Sequence, residues 1–375
     1  MLYLDNAATS YQKPFRVKWN MAYGTWFWSM NAGRGGHALS LKGAELLLDA
    51  SDELARLFAI EDASQIAFTY NATYALNMAI QGIVGEDDHV VMTQMEHNSV
   101  LRPVHALCDY TVVKANQEGF VDPIDVCKAI RPNTKLIVCT HASNVSGSIQ
   151  PVEEIGKVAR EHGVLFLVDA AQSAGCIPID VEKMGVDLLA FSGHKGLMGP
   201  LGTGGLYVRR GVELCPLIRG GTGSQSESLM QPDFMPDMLQ SGTLNTPAIA
   251  ALGSAARFIR THSVEAILEK ERFLAKRLIE GLCNIPRVKV YGTMDMGMRN
   301  GTVSFNLEGL SSGETTEMLN DDYAIAVRGG WHCAYLAHQA LGTEKTGTVR
   351  ASVGYFSRKR DVDRLLSAVS RLQGI

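Results

Sequence analysis

The chain has 375 residues, more than one hydrophobic core ordinarily serves, so two domains are expected. Its 35 basic and 39 acidic residues give a formal charge of −4 and are scattered, which argues against nucleic acid or an anionic membrane as partner, since either needs a concentrated basic face. The opening MLYLDNAATS has neither a basic leader nor an apolar core and no later run reaches membrane-spanning length, so a cytoplasmic setting is expected.

In chain order, YLDNAATS passes from a short extended piece into turn-forming residues that can face a ligand. The aromatic segment 19–28 gives way to NAGRGGHALS, where glycines flank Arg34 and His37 precedes Ser40, the expected cap of a helix over 41–58. A strand over 65–69 runs through Asn71, Ala72 and Thr73 into a helix over 74–83. A second strand, 89–93, ends at MEHNS with His97. Strands at 110–114 and 135–141 flank a helix at 123–130, and Pro151 and Gly163 bracket another helix. Two short apolar runs follow, 165–168 ending in Asp169 and Gln172, and 188–191 ending in Ser192, His194 and Lys195. A strand is expected at 205–209. Residues 219–246 are irregular. Helices from 247 and 263, strands near 288–291, 302–306, 324–328 and 348–352, and a helix from 357 make a smaller α+β unit. The alternation over 60–210 is that of a mainly parallel, doubly wound α/β sheet. The expected division is a large domain over 21–248 and a small one built from 1–20 and 249–375.

Cysteines at 108, 127, 139, 176, 215, 283 and 333 are odd in number and form no CxxC pair, which fits neither a disulfide framework nor a structural zinc site; no metal is expected.

Reactive side chains therefore collect at strand ends, where open α/β sheets bind ligands. Lys195 could link to an aldehyde cofactor through an imine if burial and nearby positive charge keep its amine neutral. Asp169 could keep a buried pyridine nitrogen protonated, making the ring an electron sink, as pyridoxal phosphate (PLP) requires. Gln172 could meet the ring hydroxyl and His97 could stack on the ring. The helix start at Ala72 and Thr73, with Ser192 and His194, could hold a phosphate. Each has an ordinary alternative: a solvated lysine, a turn aspartate, a helix cap. Their joint order is what points to PLP. Cys333 reads locally either as a small buried hydrophobe or as a reactive thiol; Gly329, Gly330 and the adjacent His332 favour the second.

YNAT, EHNS, SNVSGS, VDAAQ and SGHK, in this order, resemble the fold-type I, class V aminotransferases over nearly the whole chain. Within them RGGWHCA at 328–334, with DNAAT, GRGGHALS, SGTLNT and VRAS, resembles the group II cysteine desulfurases and selenocysteine lyases. The resemblance implies a PLP fold type I protein in which Lys195 carries the cofactor, Asp169 faces its ring nitrogen, Gln172 its ring oxygen, and His97 stacks on it. Ala72, Thr73, Ser192 and His194 would hold the phosphate, with Thr243 reaching across from the partner of a homodimer. Arg350 would clamp the substrate carboxylate with Asn144, and Arg328 and His37 would line the pocket. Cys333 would take sulfur from L-cysteine as a persulfide, release alanine, and pass the sulfur to an acceptor protein or reductant. Selenocysteine lyase activity on L-selenocysteine would use the same scaffold. Another class V transaminase or lyase would keep Lys195, Asp169 and Arg350 without needing Cys333. A PLP-binding sulfur-relay module with little turnover is the reading from a different class.

Overall fold

The computed structural model describes residues 1–32 and 35–372; Gly33 and Arg34 of the GRGGHALS stretch lie outside them. The first half contains β1 (Leu2–Tyr3), α1 (Phe15–Phe27), α2 (Ala38–Leu57), β2 (Ile66–Thr69), α3 (Ala72–Ile83), β3 (His89–Thr93), α4 (Asn98–Leu107), β4 (Asp109–Val113), α5 (Pro123–Ala129), β5 (Thr134–Thr140), α6 (Val152–His162), β6 (Leu165–Asp169), β7 (Leu188–Ser192) and β8 (Gly204–Val208). After an irregular stretch come α7 (Thr246–His262), α8 (Val264–Cys283), β9 (Val288–Tyr291), β10 (Thr302–Leu307), α9 (Ser312–Asp321), β11 (Ile325–Ala326), α10 (Tyr335–Leu341), β12 (Val349–Ser352) and α11 (Lys359–Leu372).

Seven strands form the large sheet in the order β2-β8-β7-β6-β5-β3-β4, parallel except for β8, which runs against both neighbours. Successive residues of its buried strands face opposite cores. Val90, Met92, Leu136, Val138, Leu167, Leu188 and Ala190 pack with α3 and α4 residues such as Leu76, Ile80 and Val104. Their neighbours Val91, Ile137, Phe166, Val168, Leu189 and Phe191 pack on the other face with Leu54, Ile155, Ala159 and Leu252. A strand covered on both faces needs a near-continuous apolar run, which is why these segments read as short hydrophobic blocks. A separate core joins α8, α11 and the antiparallel sheet β12-β10-β9, through Leu278, Phe305, Val349 and Leu365. β1 pairs in parallel with β11 beside it.

Several local expectations change. His37, not Ser40, caps α2: its Nδ1 accepts the Ser40 N–H at 3.2 Å, so the helix begins at Ala38. The aromatic segment is a helix, α1, and α4, α9 and α10 are helices where no element was expected. The strand expected at 324–328 shrinks to two residues. Among the described residues no helix is long and apolar enough to cross a membrane, and no group of three or more His, Cys, Asp or Glu could hold a metal.

Two buried charges join elements distant in sequence. Arg299 is fully buried with no carboxylate beside it among the described residues; its guanidinium donates to the carbonyls of Thr293, Ser146 and Thr302, tying the β5–α6 loop to the segment between β9 and β10 and to the start of β10. Glu271 on α8 lines a cavity of about 40 Å³ that also meets Cys176 and Gly196 behind Lys195. Burial pushes its carboxyl up to about 8, with only the Lys270 charge opposing. Between the ordinary value of 4.5 and about 8 the folded chain thus holds a proton that the unfolded chain has lost, so stability falls as pH rises through that window. Glu271→Gln should therefore unfold at higher denaturant than the wild type at pH 9, by on the order of 2–4 kcal/mol, and at the same concentration at pH 4.5. An equal difference at both pH values in urea titrations would contradict a neutral Glu271.

Candidate active site

β2, β3, β5, β6 and β7 all run the same way, so Thr69, Thr93, Thr140, Asp169 and Ser192 end at one edge of the sheet. Just beyond that edge lies a cavity of about 210 Å³. Nine of the residues singled out in the sequence line it: Ala72, Thr73, His97, Asn144, Asp169, Gln172, Ser192, His194 and Lys195.

The phosphate-like end is built on α3. Asn71 caps the helix by accepting the Tyr74 N–H, and the Ala72 N–H donates to Ser192 Oγ at 3.1 Å, bringing the β7 end to the helix start. The remaining first-turn N–H groups carry the positive end of the helix dipole. His194 has its Nδ1 buried without a partner among the described residues, while its carbonyl accepts from Ser10 N–H, Thr9 Oγ1 and Lys13 Nζ. Burial holds its imidazole near 4, so it is neutral.

At the other end the charges are desolvated. Burial lowers Lys195 to about 8, with Arg350 and Arg328 pushing the same way and Asp169 opposing. Asp169 is 3% exposed; burial raises its carboxyl, and the Ala171 N–H at 2.8 Å and the Lys195 charge pull it back. His97 caps α4 by accepting the Ser99 N–H on Nδ1 at 3.1 Å, which leaves Nε2 to carry its proton. Burial and then Lys195 hold it near 4. Gln172 donates Nε2–H to the Ala7 carbonyl at 2.9 Å.

Arg350, Arg328 and Cys333 stand beside the cavity. Arg350 is 1% exposed; it donates to the Asn144 carbonyl at 3.1 Å and pairs with Asp5 at 2.8 Å, and its Nε is buried without a partner among the described residues. Arg328 reaches within 4.0 Å of Cys333 Sγ. Cys333 is exposed, on a loop where His332 and Cys333 both adopt left-handed backbone angles, φ of 50° and 58°. Such angles are unfavourable for side chains with a Cβ and persist only when the surroundings enforce them. Here Asn144 Nδ2–H donates to the His332 carbonyl at 2.7 Å and the Asn98 N–H to the Cys333 carbonyl at 2.8 Å.

His332 does not assist the thiol. Its ring turns inward, Nε2 bonding Thr348, and burial holds it near 2, so adjacency in sequence misleads because the left-handed turn sends the two side chains apart. Trp331 is held by Glu344 through its indole N–H. Besides Arg328, Cys333 and Arg350, two further expected residues lie outside the cavity lining: His37 is exposed at the start of α2, and Thr243 is exposed before α7. Asp5 and Ser99 went unassigned in the sequence. Asp5 sat in DNAAT without a visible partner 345 positions away. Ser99, in MEHNS, bonds both His97 and Thr73 Oγ1.

An α/β chain with these groups at the carboxyl edge of a mainly parallel sheet has the architecture of PLP fold type I proteins. The family described as Aminotransferase class-V matches residues 2–365, and the chain belongs to it. The class V aminotransferases are PLP enzymes. A protein of Methanothermobacter thermautotrophicus named a probable cysteine desulfurase is 34% identical, over 100% of this chain and 95% of its own. A second from Pyrococcus abyssi, with the same name, is 34% identical over 99% of this chain and 94% of its own. The apo structure of cysteine desulfurase from Thermococcus onnurineus NA1 superposes with a TM-score of 0.94 at 34% identity, covering 100% of this chain and 95% of that one.

A tight packing point tests the phosphate end. Gly204 of β8 passes so close to the cap of α3 that a Cβ there would sit 2.6 Å from the Phe191 carbonyl and 2.8 Å from Asn71 Cα. Gly204→Ala should cost ~1–3 kcal/mol in unfolding free energy and weaken PLP binding, followed by absorbance titration, because the displaced Asn71 no longer aims the helix N–H groups.

Proposed function

We propose that this chain is a PLP-dependent cysteine desulfurase that converts L-cysteine to L-alanine and receives the sulfur on Cys333 as a persulfide. The observation that carries the reading is the thiol of Cys333 held on a strained loop beside the wall of the cavity that contains Lys195 and Asp169.

The residues fit PLP. A helix start with Ser192 and the orphaned His194 Nδ1 suits a phosphate ester, the buried Asp169 carboxylate suits a protonated ring nitrogen, and Lys195 supplies an amine lowered toward neutrality. When bound, PLP supplies the carbonyl carbon that Lys195 holds and a ring that takes up charge from a substrate Cα. Gln172 would meet the ring oxygen and neutral His97 would cover the ring face. Arg350 would hold the substrate carboxylate, with Asp5 and the Asn144 carbonyl fixing its guanidinium; Arg328 and His37 would close the pocket. Lys195 would accept the Cα proton and return a proton to the three-carbon product. The Cys333 thiolate would attack the substrate sulfur; the carbon–sulfur bond breaks with its electrons left on carbon, and Cys333 keeps the sulfur.

The same reading takes 21–248 as the cofactor-binding domain, 1–20 with 249–375 as the unit carrying Cys333, and the enzyme as a homodimer. Support for the dimer comes from the exposed ladder of Phe15, Trp19, Tyr23 and Phe27 on α1, ring centroids 4.5–6.4 Å apart, more aromatic surface than a monomer ordinarily leaves wet. It also comes from the exposure of His37 and Thr243 outside their own chain's cavity, free to serve the partner's.

Two measurements test the reading. PLP-loaded protein given L-cysteine should release alanine and hold a persulfide on Cys333; Cys333→Ala should lose at least about a hundredfold of alanine formation. Undiminished alanine from that variant would sink the persulfide route, and keto acid in place of alanine would favour a transaminase. The rate under saturating L-cysteine should climb with pH through about 8 as the Lys195 amine becomes neutral, since only the neutral form accepts a proton. A flat profile from pH 6.5 to 9 would remove Lys195 as the base.

A further inference from the structure

Two spaces lie near Cys333. One is the Lys195 cavity, whose lining does not include it. The other is a groove of about 410 Å³ between the outer faces of α3 and α4, with Cys333 in its lining; Thr73, His97 and Ser99 line both spaces and form the wall between them. This volume falls in the range of small-molecule sites. Nothing in the desulfurase half of the reaction uses it.

The chemistry of the groove has one sign. Among the described residues its only charged lining residue is Arg102 on α4, exposed and without a hydrogen bond or ion pair to any of them. None of the described residues lining the groove is a carboxylate, and His97 is neutral there. The α3 side presents amides already arranged along the helix, Gln81 Nε2–H to Asn77 Oδ1 at 2.8 Å and Asn77 Nδ2–H to the Thr73 carbonyl at 2.9 Å. Position along α4 sets the spacing. The Asn98 N–H holds the Cys333 carbonyl at 2.8 Å, and Arg102 lies four residues further on, about 6 Å along the same helix. A molecule that carries a thiol and a carboxylate a few bonds apart can therefore meet Cys333 and Arg102 together.

We propose that this groove is the acceptor subsite, taking a low-molecular-weight thiol that bears a carboxylate, with Arg102 as the residue that selects it. The assignment rests on the desulfurase reading of Cys333. The acceptor thiolate attacks the outer sulfur of the Cys333 persulfide, the sulfur–sulfur bond breaks, and Cys333 leaves as thiolate. The acceptor departs as its own persulfide. The sulfur moves without change of oxidation level, so no further oxidant or reductant is needed.

The test uses the PLP-loaded protein, charged with one equivalent of L-cysteine without added thiol and then desalted, so that no thiol carboxylate competes at Arg350. Discharge of the persulfide, read as loss of one sulfur mass from Cys333, is timed with 3-mercaptopropionate, 2-mercaptoethanol and cysteamine, each corrected for its thiolate fraction. The wild type should discharge fastest to 3-mercaptopropionate. Arg102→Glu should slow that thiol about tenfold or more, leave 2-mercaptoethanol within about twofold, and speed cysteamine, while Arg102→Gln falls between. A variant that slows all three thiols equally, or a wild type indifferent among them, overturns the groove assignment while leaving the desulfurase reading intact. A wild type that takes up no persulfide from L-cysteine overturns the desulfurase reading, and the acceptor subsite with it.

Discussion

Desolvation of Lys195 is the constraint on which the remaining architecture depends. An amine in water is protonated at neutral pH and can neither hold a carbonyl carbon nor accept a proton. Burial, helped by the nearby cations of Arg350 and Arg328, brings Lys195 down to about 8. Asp169 opposes the shift, yet the same burial raises its own carboxyl, so the two groups share one low-dielectric edge rather than forming a simple ion pair. Such an edge requires strands buried on both faces. The seven-stranded sheet supplies them, with separate cores on either side.

In the proposed reaction a second constraint applies: Cys333 must be exposed to hand on sulfur, whereas the Lys195 side must be dry. The chain meets both by placing the thiol on a different sheet system and clamping the contact between them. Asn144 is the pivot: its side-chain N–H holds the His332 carbonyl, and its own carbonyl receives Arg350. Asn98 holds the Cys333 carbonyl from the α4 side. Arg299 ties the same β5–α6 loop to the start of β10 with no carboxylate among the described residues, so the link is made of directed hydrogen bonds and its geometry does not change with pH in the neutral range. These bonds offset the cost of two consecutive left-handed residues, on the order of 1–2 kcal/mol each.

Much of this was readable in the residues. Short apolar blocks ending in Asp169, Ser192 or His97 marked the catalytic edge because a doubly covered strand has no polar face to confuse its limits. Nine site residues chosen from strand ends and motifs line one cavity for the same reason: parallel strands send their next residues to one edge. What escaped has physical causes. The helix α1 carries aromatics on its exposed face, so its pattern does not resemble a helix packed by its apolar side. His37 caps with a ring nitrogen rather than with the hydroxyl that cap preferences favour. Asp5 finds Arg350 only through the parallel contact of the chain's beginning with its end, and no local pattern encodes a partner 345 residues away. His332 and the thiol are adjacent in sequence, and adjacency carries no information about the left-handed turn that parts them.

The wall formed by Thr73, His97 and Ser99 explains how exposure and burial coexist a few ångströms apart. His97 is locked from both sides, its Nδ1 accepting the Ser99 N–H while Ser99 Oγ also meets Thr73 Oγ1, so the ring cannot swing to admit water without uncapping α4. Burial keeps that ring neutral, and a neutral wall neither competes with Arg102 for anions on one side nor lowers the proton affinity of Lys195 on the other. A charged imidazole there would add a second cation to the groove and would make the wall itself an anion site. The electrostatic division between a dry, cationic interior and a solvated, singly charged groove is thus carried by one uncharged ring, held in place by the cap of the helix it begins.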